Sequence, residues 1–349
     1  MTPNEWRDVH PDVFFLAPSD LAGIDSWLER SGVLARGESV RSAAKAGEGN
    51  MNCTVRVTTD RRSIIVKQAR PWVEKYPQFA APWDRALREM EFFGLAGSHA
   101  PLAARMPRLL HADVAGRLLV LEDLGRDGDY TDVYEGIAFT DFEIETLAAW
   151  LGELHRAFRD ATDRRGLANR EMRALNGQHM FVIPLQPDNG LDLEAITPGL
   201  AEGARELRLD TRFVAEVRLL DAVYMADGPC LLHGDFFPGS FLRTADGPLI
   251  IDPEFAFFGR PEFDAGVFLA HLLLARQPSP VFEWFLAGYV PPDGFDEHLM
   301  LRFAGTEVMR RLIGYAQLPL SLDSSGRRRL LTLARELVLK PARELLRTA

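Results

Sequence analysis

Between Cys53 and Thr58 apolar and polar side chains alternate, with Cys53, Val55 and Val57 facing one way and Thr54, Arg56 and Thr58 the other. A period of two predicts a strand with one buried face. Ser63-Ile64-Ile65-Val66-Lys67-Gln68-Ala69 is a second, β-branched strand with one lysine near its end. The glycine-bearing stretch 47–52 is a turn leading into the first strand. Leu118-Leu119-Val120-Leu121-Glu122 predicts a further strand, running into a linker at Asp123-Leu124-Gly125. Two helices accompany these strands. One is capped by Ser19-Asp20 and runs to about Arg30, where Ser31-Gly32 stops it. The other spans Pro82 to Leu95, with Leu87, Met90, Phe92 and Phe93 on its apolar face and Arg85, Arg88, Glu89 and Glu91 elsewhere.

From Thr140 the period lengthens. Asp141 to Phe158 repeats Phe142, Leu147, Leu151, Leu154 and His155 at helical spacing, which makes His155 a core histidine. Thr211–Met225, Asp264–Arg276, Phe295–Tyr315 and Leu322–Leu346 also predict helices. Leu175 to Leu193, with Gly177, Pro184, Pro187 and Gly190, predicts an irregular excursion over the surface. The expected architecture is α+β, with an antiparallel-sheet lobe over residues 1–122 and a larger, mainly helical lobe over 123–349. No internal repeat or low-complexity tract interrupts it.

The chemistry concentrates in the second lobe. His233-Gly234-Asp235 lies in a polar loop with Ser240 behind it, and Asp252-Pro253-Glu254 follows the apolar strand Pro248-Leu249-Ile250-Ile251. Phosphoryl transfer from ATP needs acidic groups in that order: one Asp to orient a substrate hydroxyl and take its proton, a second to hold Mg²⁺. His-Gly-Asp stands where protein kinases carry HRD, Ser240 where they carry Asn, and Asp252 where they carry the DFG aspartate. Taken alone, His-Gly-Asp is equally a plain turn, since Gly and Asp are turn residues. The upstream lobe adds the remaining parts in order. They are Gly47, Gly49, Asn50 and Asn52 in the turn, Lys67 on the strand, and Glu89 on the helix as its partner, with Glu91 second. Adenine would be held by main-chain groups of Glu122 and Leu124. Asp264 opens the helix after this region and is expected to brace the catalytic loop.

These motifs resemble the aminoglycoside phosphotransferase-like kinases and, within that superfamily, the methylthioribose kinases. The latter are similar in the Ser at 240, the Asp-Pro-Glu at 252–254, the turn at 47–52, the strand Val66 to Ala69, and the segment Gly305 to Gly314. The resemblance runs from about residue 15 to 320. It implies a two-lobed protein-kinase-like fold that uses ATP and Mg²⁺ on a small alcohol or sugar. It further implies Asp235 as catalytic base, Asp252 and Glu254 (with Ser240) as Mg²⁺ ligands, Lys67 on the phosphates, and Arg310 and Arg311 near the sugar. Adjacent helical residues point about 100° apart, so two arginines sharing one pocket requires a helix end or a bend. A homodimer is the family's usual assembly. The chain departs from the pattern at Phe236-Phe237, where Leu-His is usual. It departs again in the shortened loop after the lysine strand, whose Trp72, Tyr76, Phe79 and Trp83 either contact substrate (Tyr76 foremost) or pack the lobe. Those departures leave the acceptor open among methylthioribose, another sugar, an aminoglycoside and a choline-type amine. A nucleotide-binding pseudokinase is the non-enzymatic alternative.

Composition narrows the partners. The formal net charge of −10 argues against nucleic acid or an anionic membrane. From His298 onward ten Lys/Arg face four Asp/Glu, which disfavours a polycationic acceptor. Arg327-Arg328-Arg329 is expected to be a solvated helix start. Cys53 and Cys230 are the two cysteines, too few for a disulfide framework, and Cys53 is expected to be buried filler. No secretory signal and no apolar run of roughly 20 residues is present. The expectation is a cytoplasmic protein.

Overall fold

The computed structural model describes residues 3–47, 49, 51–125, 127–164 and 166–347. The chain divides into two compact units, Met1–Gly128 and Asp129–Ala349. The expected boundary after Glu122 falls short, because Asp123 is tied into the first unit. Its carboxylate takes Arg56 Nε at 2.7 Å and Ser63 Oγ at 2.5 Å, and Arg56 also bonds the Gly125 carbonyl.

The N-terminal unit opens with helices α1 (Pro3–Val9) and α2 (Leu21–Arg30), the latter capped by Asp20. Seven strands follow: β1 (Val40–Lys45), β2 (Cys53–Thr59), β3 (Ser63–Gln68), β4 (Trp72–Val73), β5 (Tyr76–Ala80), β6 (Leu109–Asp113) and β7 (Leu118–Glu122). Helices α3 (Arg85–Ala96) and α4 (Ala100–Ala103) lie between β5 and β6. The main sheet has the order β1-β2-β3-β7-β6, and its pairings are antiparallel. The alternation read in β2 is the alternation observed: every second residue from Cys53 is buried. Val55, Val57, Ile64, Val66, Leu118 and Val120 form a core with Ile24, Trp27 and Leu28 of α2. At roughly 1.5–3 kcal/mol per buried large side chain, that contact is what holds α2 to the sheet.

One expectation for α3 needs correction: the helix starts at Arg85, since Pro82 to Asp84 form a turn. Arg85 and Glu89 are each 1% exposed, while Leu87 is half-buried. Burying two charges is tolerated because each has partners, described below. The aromatics of the loop divide. Trp72 and Trp83 pack edge-on against Trp6, at 6.3 and 5.5 Å, whereas Tyr76 and Phe79 stay exposed on the β4–β5 hairpin.

In the C-terminal unit α5 (Asp141–Ala157) carries a Thr140/Glu143 capping box. Then come α6 (Arg170–Gly177), α7 (Leu193–Ile196), α8 (Leu200–Leu209) and α9 (Thr211–Met225). The short strands β8 (Cys230–Leu232), β9 (Phe241–Leu242), β10 (Leu249–Ile250) and β11 (Phe257–Gly259) precede α10 (Glu262–Leu274), α11 (Ser279–Gly288), α12 (Glu297–Ile313) and α13 (Ser324–Leu339). Every residue of α10 is buried, so it is the central helix of the unit, packed on α12.

Three expectations fail here. Residues 178–185 are not an irregular surface excursion: α6 continues into a π turn (Gln178–Val182) and a 3₁₀ turn (Ile183–Leu185), with Met180 and Phe181 buried. Pro184 sits at the start of that last turn, where a missing N–H costs nothing. The helix from Leu322 does not reach Leu346, because Pro341 ends α13 and a separate 3₁₀ turn covers Arg343–Arg347. Arg327 is buried rather than solvated, though its neighbours Arg328 and Arg329 are exposed. Cys53 and Cys230 are both buried. Among the described residues, no helix is long and apolar enough to cross a membrane.

Candidate active site

Two antiparallel ladders bring the two acidic motifs of the C-terminal unit together. Leu232 of β8 pairs with Phe257 of β11, so the loop that begins at His233 leaves beside the segment that ends at Ala256. Phe241 of β9 pairs with Ile250 of β10, and the Ile251 N–H extends that contact to the Ser240 carbonyl at 3.0 Å. Between the ladders, His233 Nε2 reaches the Ile251 carbonyl at 2.9 Å, while its Nδ1 accepts the Asp235 N–H at 3.3 Å. One imidazole thereby ties the Asp235 loop to the residue before Asp252, and the two bonds fix its tautomer.

Gly234 has φ +84, and a Cβ there would run into the Phe255 carbonyl. The glycine in His-Gly-Asp is thus a requirement of backbone geometry. Asp264 of α10 accepts the Gly234 N–H at 2.9 Å and the His233 N–H at 2.7 Å, and His155 Nε2 lies 3.3 Å from the same carboxylate. His155 is indeed a core residue, and it also orients the group that braces the loop.

Asp235 itself is half-buried. Burial pushes its carboxyl up to about 6, with Arg311 and Arg310 pulling it down and Glu307 and Glu254 adding to the rise. Both arginines occupy the last turn of α12, and both bind the buried Glu307: Arg311 Nε to Oε1 at 2.6 Å, Arg310 Nη1 to Oε2 at 3.0 Å. Two residues past the base, Phe237 lies between the Arg311 guanidinium, 5.0 Å from its ring centre, and the His271 ring at 5.1 Å. Its neighbour Phe236 is fully buried and stacks on Trp150 at 5.9 Å. Of the two departures from Leu-His, Phe237 meets the Arg311 guanidinium and Phe236 packs edge-on against His233, with ring centres 5.8 Å apart.

Asp252 adopts a left-handed conformation (φ 61, ψ 49), uncommon for a residue with a side chain, though Asp tolerates it better than most. It starts the 3₁₀ turn Pro253–Phe255, which carries the buried Glu254. Asn169 Nδ2 pins this turn by donating to the Glu254 and Ala256 carbonyls, both at 3.0 Å. Two carboxylates on one turn are hard oxygen donors of the kind Mg²⁺ prefers. Among the described residues no group of three His, Cys, Asp or Glu gathers into a metal cage. Mg²⁺ is commonly held by one or two carboxylates, with phosphate oxygens and water completing its shell. Ser240 donates its hydroxyl proton to the Asp235 carbonyl at 2.8 Å, which leaves its oxygen lone pairs for a cation.

In the N-terminal unit Lys67 lies on β3, the central strand, and is 3% exposed. Its Nζ is 2.8 Å from Glu89 Oε2 and 3.0 Å from Oε1. Glu91 pairs instead with Arg88. Gly47 takes φ +68 and, with Gly49, is exposed; Asn50 lies outside the described residues. Asn52 is buried, and its side-chain oxygen accepts Arg85 Nε at 3.0 Å. Arg85 also donates to the carbonyls of Met51, Arg70 and Pro82, so it holds the turn, the end of β3 and the start of α3 together. The Glu122 N–H is bonded to the Arg108 carbonyl at 3.0 Å, and its side chain pairs with Arg108. Leu124 follows in the segment leaving β7, and Tyr76 is exposed on the hairpin.

The chain has relatives among known proteins. The chain is 28% identical to a methylthioribose kinase of Exiguobacterium sibiricum over 68% of its own length, spanning 62% of that relative. It is 27% identical to a methylthioribose kinase of Geobacillus sp. (strain WCH70), covering 88% of this chain and 86% of the relative. Among solved structures it resembles a choline kinase of Cryptosporidium parvum Iowa II (TM-score 0.51, 11% identity, 93% and 96% of the two chains). It also resembles a putative fructosamine-3-kinase of Haemophilus somnus 129PT (TM-score 0.50, 14% identity, 90% and 96%). The two-lobed, protein-kinase-like fold is therefore shared at low identity. The model of the phosphotransferase enzyme family (APH) matches residues 42–300, most of the chain, and the protein belongs to that family.

Proposed function

We propose that this chain transfers the γ-phosphoryl of ATP to a hydroxyl of a small sugar, with 5-methylthioribose as the acceptor. The observation that carries the reading is the Asp235 loop, locked through His233 to the segment that presents Asp252 and Glu254. The names of the relatives support the choice of acceptor.

In this reading Asp235 orients the acceptor hydroxyl and takes its proton as the oxygen bonds to the γ-phosphorus. The bond to the β,γ-bridging oxygen breaks, and ADP leaves with that electron pair. Asp235 needs no high basicity, since the transition state is loose and positioning dominates. Lys67, fixed by Glu89, binds the α- and β-phosphates, and main-chain groups at Glu122 and Leu124 hold adenine. Asp252 and Glu254, with Ser240, would hold Mg²⁺, which would neutralise phosphate charge. Arg310 and Arg311 carry positive charge beside the base, which favours a neutral or anionic acceptor over a polycation.

The test is ATP consumption by the purified chain with Mg²⁺, offering methylthioribose, ribose, an aminoglycoside and choline separately. Turnover on methylthioribose is expected. Turnover confined to another alcohol overturns the acceptor, and silence on all four with ATP bound favours the pseudokinase alternative.

A further inference from the structure

The strongest unassigned feature is a buried chain of polar side chains behind Arg310 and Arg311. Tyr134 OH lies 2.5 Å from His271 Nδ1, and His271 Nε2 lies 3.2 Å from Glu307 Oε1. Burial keeps the His271 imidazole neutral, with its pKa down at about 4, and keeps Tyr134 protonated, its pKa raised well above 10. One assignment satisfies all of these groups: the Tyr134 hydroxyl donates to Nδ1, and the Nε2 proton is donated to Glu307. Burial alone would raise the Glu307 carboxyl, but Arg310, Arg311 and His271 hold it well below the usual carboxylate range. Glu307 is therefore an anion.

Its position answers the problem of two consecutive arginines. Residues 310 and 311 diverge around the helix, yet a carboxylate three and four residues earlier reaches both: Arg310 Nη1 donates to Oε2 at 3.0 Å and to Oε1 at 3.3 Å, and Arg311 Nε donates to Oε1 at 2.6 Å. The helix ends at Ile313, and Asn189 Nδ2 caps that carbonyl at 3.1 Å, so the turn bearing both arginines is fixed from behind.

We propose that Glu307 is a positioning residue for phosphoryl transfer: it clamps Arg310 and Arg311 in one arrangement beside Asp235, and Tyr134 and His271 hold Glu307 in place. The inference rests on the phosphotransfer reading above. Two guanidinia against one Glu307 leave one positive charge to face Asp235 and an oxyanion such as the transferring phosphoryl group.

The experiment compares Glu307→Gln and Tyr134→Phe with the wild-type chain on whichever alcohol the wild type phosphorylates. Gln keeps the shape but sets an NH₂ donor against two guanidinium donors, so one arginine must let go. For Glu307→Gln, kcat falls and acceptor KM rises, each by at least about tenfold, with ATP KM within about twofold. Tyr134→Phe moves the same constants in the same direction, by about threefold in kcat. A lowered Tm with both acceptor constants unchanged marks a structural strut and overturns the proposal, as does an ATP KM that rises with the acceptor's. If Glu307→Gln does not fold, Tyr134→Phe decides, and an unchanged kcat overturns it. Wild-type silence on methylthioribose with turnover of another alcohol removes that acceptor and leaves Glu307 to be judged on the new constants. Silence on every alcohol removes the phosphotransfer reading. Proton exchange at Arg311 Nε, followed by NMR, then decides the clamp: exchange at least about tenfold faster in Glu307→Gln supports it, and unchanged exchange overturns it.

Discussion

The carboxylate of Asp264 accepts the main-chain N–H of His233 at 2.7 Å, across 31 residues of sequence. With Gly234 N–H on its other oxygen, it fixes the loop backbone before the base is reached. Asp264→Ala leaves two buried N–H donors and His155 without their acceptor. Stability falls by about 3–5 kcal/mol, read from denaturant midpoints, and kcat falls with it. If stability falls without a change in kcat, the brace is structural only.

Gly234→Ala puts a Cβ into the Phe255 carbonyl at a positive φ. The expected cost exceeds about 2 kcal/mol, and the displaced 3₁₀ turn carries Glu254 away from its position. Turnover should drop at least as far as for any conservative change at Asp235. An active Gly234→Ala enzyme would show that the turn moves freely.

Asp235→Ala abolishes turnover and spares nucleotide binding, whereas Asp252→Ala also lowers affinity for the Mg²⁺ nucleotide. Calorimetric titration with ATP, with and without Mg²⁺, separates the two. Near-normal turnover in Asp235→Ala removes the base assignment.

Removing one member of the buried Lys67–Glu89 pair takes away its counter-charge, at about 3–5 kcal/mol. Glu89→Gln should raise ATP KM and leave acceptor KM unchanged, because the lysine loses its anchor. Equal rises in both constants would place Glu89 in general stability alone.

His271 links stability to pH. In the fold it stays neutral down to about 4, whereas the unfolded chain takes up this proton near 6.5. Below 6.5 the unfolded chain therefore binds more protons than the fold, and stability falls as pH drops, until about 4. Between pH 7 and pH 5 the wild type should lose about 2 kcal/mol more than His271→Gln, which cannot titrate. Equal losses in the two proteins would mean that His271 takes up its proton at the same pH in the fold as in the unfolded chain.

The places of Lys67 and Asp252 could be read in the sequence because each follows a short, continuous apolar run that reads as a strand. Asp235 could be read because it sits in a polar loop just past another such run. Asn169, Arg85, Tyr134, His271 and Glu307 gave no such signal. Arg85 and Glu307 lie on helices whose polar faces look solvated, and only tertiary packing reveals that those positions are covered. Tyr134 meets His271 across 137 residues, a pairing no local pattern encodes. Pro184 misled for a related reason: it reads as a breaker, but at a helix start it breaks nothing. The end of α13 could have been foreseen from Pro341, and the left-handed Asp252 could not.

Because α10 is enclosed on every face, Asp264 is anchored in the part of the unit whose amides should exchange with solvent last. Local opening of surface helices such as α7 or α8 leaves that anchor untouched. Catalytic competence in this unit should therefore persist through partial fraying and vanish as a single cooperative event, when the central helix itself gives way.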